Sequence, residues 1–172
     1  IGFYPELLQK SSTHPAQARV PTISPTVYRP NFAKKSIPMH ITIPPLCVKS
    51  NTIQLGLEKD GSLSVPPDGS PAGWYKGSPT PGEVGPSVIA GHVDWKGKMG
   101  VFFRLKSVKV GAIVKVLRAD GSTQTFKVER IRTFAKNTFP SHQVYGNIAY
   151  EELRIITFGY FNFKLHKYWK EI

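Results

Sequence analysis

The sequence predicts an all-β fold in a single domain, and three observations carry that reading. Fifteen Pro and fifteen Gly fall between short β-branched and aromatic runs, which is the punctuation of strands joined by turns and not of a helical bundle. Hydrophobic residues make up 40% of the chain and aromatics 12%, enough to bury a core. At 172 residues the chain suits one core plus a tail, because single hydrophobic cores are built from roughly 100–200 residues.

The elements follow in chain order. From Pro5 to about Lys35 the composition is rich in Ser, Thr and Pro, and Pro15, Pro21, Pro25 and Pro30 rule out a continuous helix. Residues 1–35 therefore read as an extended linker, and the folded domain is expected over 36–172. Alternation at Met39–Ile43 predicts a strand ended by Pro44-Pro45. Thr52–Leu57 predicts a second, turned by Lys59-Asp60-Gly61. Val65–Gly85 reads as a long loop that Trp74-Tyr75 pins to the body of the fold. Ser87–Ala90 is short and apolar, as in a buried strand, and delivers Gly91-His92-Val93-Asp94 at its far end. Ile113–Arg118 and Thr123–Ile131 flank Ala119-Asp120-Gly121, whose Asp-Gly pair favours a hairpin turn. Arg154–Thr157 is the last clear strand, and no internal repeat or heptad is present.

The formal net charge of +12 attracts polyanions of any kind. The 23 Lys and Arg are spread along the chain without a helix-turn-helix or zinc-ligand pattern, so nucleic acid is not an expected partner. One cysteine, Cys47, excludes an internal disulfide and a cysteine zinc cluster. It reads as a small buried hydrophobe beside the first strand, far in sequence from His92 and without a glycine elbow. His14, His40, His142 and His166 show neither i, i+4 nor His-x-Glu spacing, so no metal and no cofactor are expected. No window approaches the roughly eighteen apolar residues of a membrane span. The chain opens at Ile1 and reads as a fragment of something longer.

The ordered set of motifs resembles the class F sortases, cysteine transpeptidases of Gram-positive surfaces. Ile43-Pro44-Pro45-Leu46, Gly56-Leu57 and Asp60-Gly61 are similar to the family's opening strands, and Pro71–Glu83 to its first long loop. Pro86-Ser87-Val88-Ile89-Ala90-Gly91-His92-Val93-Asp94 is similar to the segment that carries the family's catalytic histidine. Val101–Leu105, Gly111, Asp120-Gly121, Phe139-Pro140, Val144-Tyr145-Gly146 and Leu153–Thr157 continue in register, so the likeness covers about 36–163. It implies a sortase-type β-barrel with short helices or turns in its loops. It also implies an N-terminal membrane anchor ahead of the linker, a monomer, and a place on the outer face of the cell membrane or in the wall.

The resemblance further implies a chemistry: a cysteine thiolate attacks the Thr–Gly carbonyl of a Leu-Pro-x-Thr-Gly-like sorting peptide, and an amine of the wall or a pilin resolves the thioacyl-enzyme. Histidine suits the proton transfer and arginine the substrate or oxyanion. By this mapping His92 is the general acid. The nucleophile position, after Thr157, holds Phe158, which has no nucleophilic atom, and Phe158-Gly159-Tyr160 is one residue short of the family's glycine-rich step. No arginine follows Arg154. Arg154 is a candidate basic neighbour, because residues four apart share a strand face; the plainer reading is a charge on the barrel wall. The chain is expected to stop before the strand that closes the barrel beside 158, leaving an open edge. Two function classes stand: a sortase domain inactivated by substitution, truncation or a reading-frame error, and a non-catalytic module that still grips a sorting peptide or wall polymer. A basic nucleic-acid-binding barrel is a weaker third, since no strand face shows the aromatics it needs.

Overall fold

The computed structural model of the chain describes residues 32–135, 145–159 and 168–171, all within the unit Asn31–Ile172. The linker expected over 1–35 lies outside the described residues up to 31, and 32–37 carry no regular structure.

The described strands are β1 (Pro38–Ile43), β2 (Val48–Leu55), β3 (Ala72–Tyr75), β4 (Gly85–His92), β5 (Asp94–Trp95), β6 (Lys98–Met99), β7 (Ile113–Arg118), β8 (Thr123–Lys127), β9 (Arg132–Ala135), β10 (Glu151–Gly159) and β11 (Tyr168–Glu171). Nine of them form one sheet in the order β8-β7-β1-β2-β3-β4-β10-β11-β9, and β5 pairs with β6 in a separate ribbon. β2–β3 and β4–β10 are parallel and the other pairs antiparallel. The connections carry the 3-10 turns Pro44–Leu46 and Phe103–Ser107. This is the all-β barrel that the turn-punctuated sequence predicts.

Alternation decides which side chains face in. Ile41 and Ile43 of β1, Val114 and Val116 of β7, Trp74 of β3, Ile89 of β4 and Ile155 of β10 meet in one core with Phe102 and Leu105. Every residue of β4 is buried, because its second face is covered too: Val88 and Ala90 pack with Leu55, Leu63 and Ile156. A strand covered on both sides reads as an unbroken apolar run, as Ser87–Ala90 does. Thr123–Lys127 and Ile113–Arg118 form the expected hairpin, with Gly121 in the left-handed region at φ 81 and its amide donating to the Arg118 carbonyl at 3.0 Å.

Several expectations are corrected. The strand beginning at Thr52 starts at Val48 and ends at Leu55, and the strand from Thr123 ends at Lys127 rather than Ile131. Ala72–Tyr75, read as loop, is β3, which sits between β2 and β4. The edge expected to be open beside β10 is occupied by β11, with Phe158 opposite Trp169 and Thr157 opposite Lys170. Four residues ending in Lys170-Glu171 are too short and too charged to stand out as a strand by periodicity, yet pairing on both edges suffices to hold them. Cys47, expected to be buried, is exposed. It closes the Pro44–Leu46 turn at φ 53, its amide donating to the Pro44 carbonyl at 3.0 Å, and that left-handed bend turns it away from the core.

Candidate active site

The parallel register of β4 and β10 fixes the site. Val88 lies beside Arg154, Ala90 beside Ile156, Gly91 beside Thr157, and His92, the last residue of β4, beside Phe158. Neighbouring strands are ~4.8 Å apart, so the backbone at 158 is next to the backbone of His92. The side chain of Phe158 lies outside what the structure describes.

The His92 ring is only 7% exposed. Its Nε2 lies 2.9 Å from the Pro66 carbonyl oxygen, and the Trp95 indole packs on it with ring centroids 4.6 Å apart and planes at 46°. Two glycines permit this. A Cβ on Gly69 would stand 2.7 Å from the Trp95 Cβ, and one on Gly100 would stand 2.4 Å from the His92 carbonyl oxygen. The same carbonyl accepts the Phe102 amide at 2.9 Å, the Gly100 amide donates to Val93 at 2.8 Å, and the Val101 amide donates to Gly69 at 2.7 Å. His92 is thus clasped between segment 66–70 and the start of 100–102.

Arg154 does not join this group. Four residues from 158 along a strand is ~13 Å, and its side chain, 6% exposed, turns to Glu152. Its Nε and Nη2 donate to the Glu152 carboxylate at 3.3 and 3.1 Å. That pair borders a cavity of ≈ 630 Å³ together with Lys127, Arg130 and Arg132, toward the opposite end of β10 from His92. Cys47 precedes β2, and β3 lies between β2 and β4. The Thr157 Oγ1 is buried and has no hydrogen-bond partner among the described residues. Among the described residues no cluster of His, Cys, Asp and Glu could hold a metal. No described helix is long and apolar enough to cross a membrane.

The comparisons with known proteins agree with this arrangement of strands. The sortase domain family matches residues 41–168, from β1 to the first residue of β11. The chain belongs to the sortase family. Sortase A from Corynebacterium diphtheriae is similar in structure at a TM-score of 0.58 and 17% identity, covering 81% of this chain. This sortase-family chain spans 61% of that protein's length. Group B Streptococcus Pilus Island 1 sortase C2 is similar at a TM-score of 0.56 and 19% identity over 81% of this chain and 73% of its own. Sortase C-1 from Actinomyces oris gives 0.54 and 18% over 77% and 70%. At these identities the structural likeness speaks for the fold. No curated protein sequence matches the chain.

The sequence singled out His92 and position 158 but missed Pro66, Gly69, Trp95 and Gly100. Pro66-Pro67-Asp68-Gly69 carried a turn signal. Nothing in it shows that the turn lies across the end of a strand 26 residues later.

Proposed function

We propose that the chain is a sortase-family transpeptidase domain of the class F type, with His92 as its general acid and Phe158 at the nucleophile position, and that it transfers no peptide in this form. The observation that carries the reading is the β4–β10 register, which sets His92 beside Phe158. In the reaction it derives from, a thiolate at 158 attacks the Thr–Gly carbonyl of a Leu-Pro-x-Thr-Gly-like peptide. The C–N bond breaks, the departing amine takes a proton from the histidine, and an amine acceptor then displaces the thiol from the thioester. Phenylalanine supplies neither the lone pair nor the leaving sulfur. The substrate is a sorting peptide of a surface protein, the acceptor an amine of the wall or a pilin, and the setting the outer face of the membrane, with a tether ahead of residue 1.

The test is thioacyl capture and hydroxylamine-dependent release of such a peptide. The unmodified chain is expected to do neither. Phe158→Cys is expected to form the thioester and to turn over poorly, because β11 offers Tyr168, Trp169, Lys170 and Glu171 and no arginine. Losing one electrostatic donor of that kind costs about 100- to 1000-fold. Adding Lys170→Arg should recover part of it. Turnover by the unmodified chain, abolished by Cys47→Ala, would overturn the assignment of position 158.

A second reading, a non-catalytic domain that binds the peptide, is favoured by the firmly seated His92 with no nucleophilic residue at the position beside it. Saturable binding of the peptide to the unmodified chain, without cleavage, would select it.

A further inference from the structure

We infer that the strap Pro66–Ser70 is a positioning element for His92: its Pro66 carbonyl holds the ring in the Nε2–H tautomer and reserves Nδ1 for proton exchange. A carbonyl oxygen can only accept, so the hydrogen on the 2.9 Å contact belongs to Nε2. A neutral imidazole carries one N–H, and Nδ1 is then the acceptor. Among the described residues nothing else bonds to the ring nitrogens. Among the described residues a main-chain carbonyl, and not a carboxylate, takes the orienting role.

The strap is held well enough to do this. Asp68 closes it from within, its Oδ1 accepting the Ser70 amide at 2.8 Å. The Ser70 carbonyl accepts the Ser50 hydroxyl at 3.1 Å, which itself accepts the Ala72 amide at 3.1 Å. Gly69 is tied to Val101, and Pro66 is fully buried. Trp95 packs on the ring from another side, its Cβ only 2.7 Å from where a Gly69 Cβ would be. Strap, imidazole and indole therefore pack without slack, and a ring so clasped cannot rotate to exchange its nitrogens unless the strap lifts.

The inference deepens the proposed function and rests on it for its consequence. With Nε2–H committed to Pro66, the proton given to a departing amine leaves from Nδ1 of the imidazolium, and the ring returns to the neutral Nε2–H form as the C–N bond breaks. The strap thereby sets which nitrogen of the histidine serves the transfer, although it touches no substrate.

The experiment is long-range proton–nitrogen correlation of the side-chain imidazoles in the ¹⁵N-labelled full chain near neutral pH. His92 is expected to show a protonated Nε2 and an unprotonated Nδ1. Its Hε2 should be directly visible, slow to exchange with water, and close in space to Trp95. Asp68→Ala removes the exposed clasp of the strap and should speed Hε2 exchange about tenfold, as expected for losing about one hydrogen bond from the closed state. Asp60→Ala removes the matching turn in which Asp60 accepts the Ser62 amide, and should leave that exchange unchanged. A protonated Nδ1, an Hε2 lost to fast exchange in the unmodified chain, or equal acceleration by both variants would overturn the proposal. The tautomer is measured on the folded chain without peptide, so a failed spectrum removes the strap's role alone, while a failed peptide assay removes the function alone.

Discussion

Tyr145 shows how one residue reports on the covered face of β4. It is half-buried and meets Tyr75 edge to face, the ring centroids 6.0 Å apart at 77°, beside Val88, Ala90 and Ile156. Burial first, and the Tyr75 phenol second, hold its hydroxyl above its ordinary value of 10.0. A raised value means that the folded state keeps this proton more tightly than the unfolded chain does. The stabilisation is intact below the unfolded value and is lost as pH rises through the folded one. Stability measured by denaturant midpoint between about pH 9 and 11 should therefore fall more steeply for the unmodified chain than for Tyr145→Phe. Parallel slopes would show that this face opens before the tyrosine titrates. At the same scale, His92 was legible as a functional candidate, whereas the exposure of Cys47 and the turn of Arg154 toward Glu152 were not. Both depend on backbone direction at one residue, which periodicity does not encode.

At the scale of the element, β4 is the strand on which the site depends. It pairs with β3 on one side and β10 on the other, and its glycine at 91 is required by closeness rather than by conformation. A Cβ there would stand 2.6 Å from both the Phe102 Cδ2 and the Val101 Cγ1. Gly91→Ala should destabilise the fold by about 1–3 kcal/mol, as overpacking in a full core does. It should also displace His92, whose carbonyl holds the Phe102 amide. Gly56→Ala is the control, since its Cβ would meet only the Lys76 Cε at 3.7 Å; urea midpoints that move equally would refute the packing argument. β3 and β11 make the complementary point. Each is four residues long and was missed or counted as absent, because a strand so short is selected by its neighbours' hydrogen bonds more than by its own pattern.

At the scale of the whole molecule, the barrel interior is closed by a residue that belongs to no strand. Phe102 is fully buried in the core to which β1, β3, β4, β7 and β10 all contribute, so that core joins sheet regions remote in sequence. Phe102→Ala should cost about 3–5 kcal/mol, a large part of the roughly 5–15 kcal/mol that holds a domain together. Chemical denaturation would measure it, and a loss below about 1 kcal/mol would mean that the interior collapses around the gap. The same contrast of near and far separates what the sequence by itself determined from what tertiary structure decided. The sequence determined the all-β class, the strands at β1, β4, β7 and β10, the Asp120-Gly121 hairpin, and the singling out of His92 and position 158, because alternation, turn chemistry and motif order are local properties of the chain. Only the tertiary structure decided that β4 and β10 run parallel with His92 beside Phe158, that β11 occupies the edge of β10, and that Pro66 and Trp95 enclose the histidine. These are contacts between segments distant in the chain, and they are chosen by which surfaces can be buried and which backbone groups satisfied together, a choice that no single segment contains.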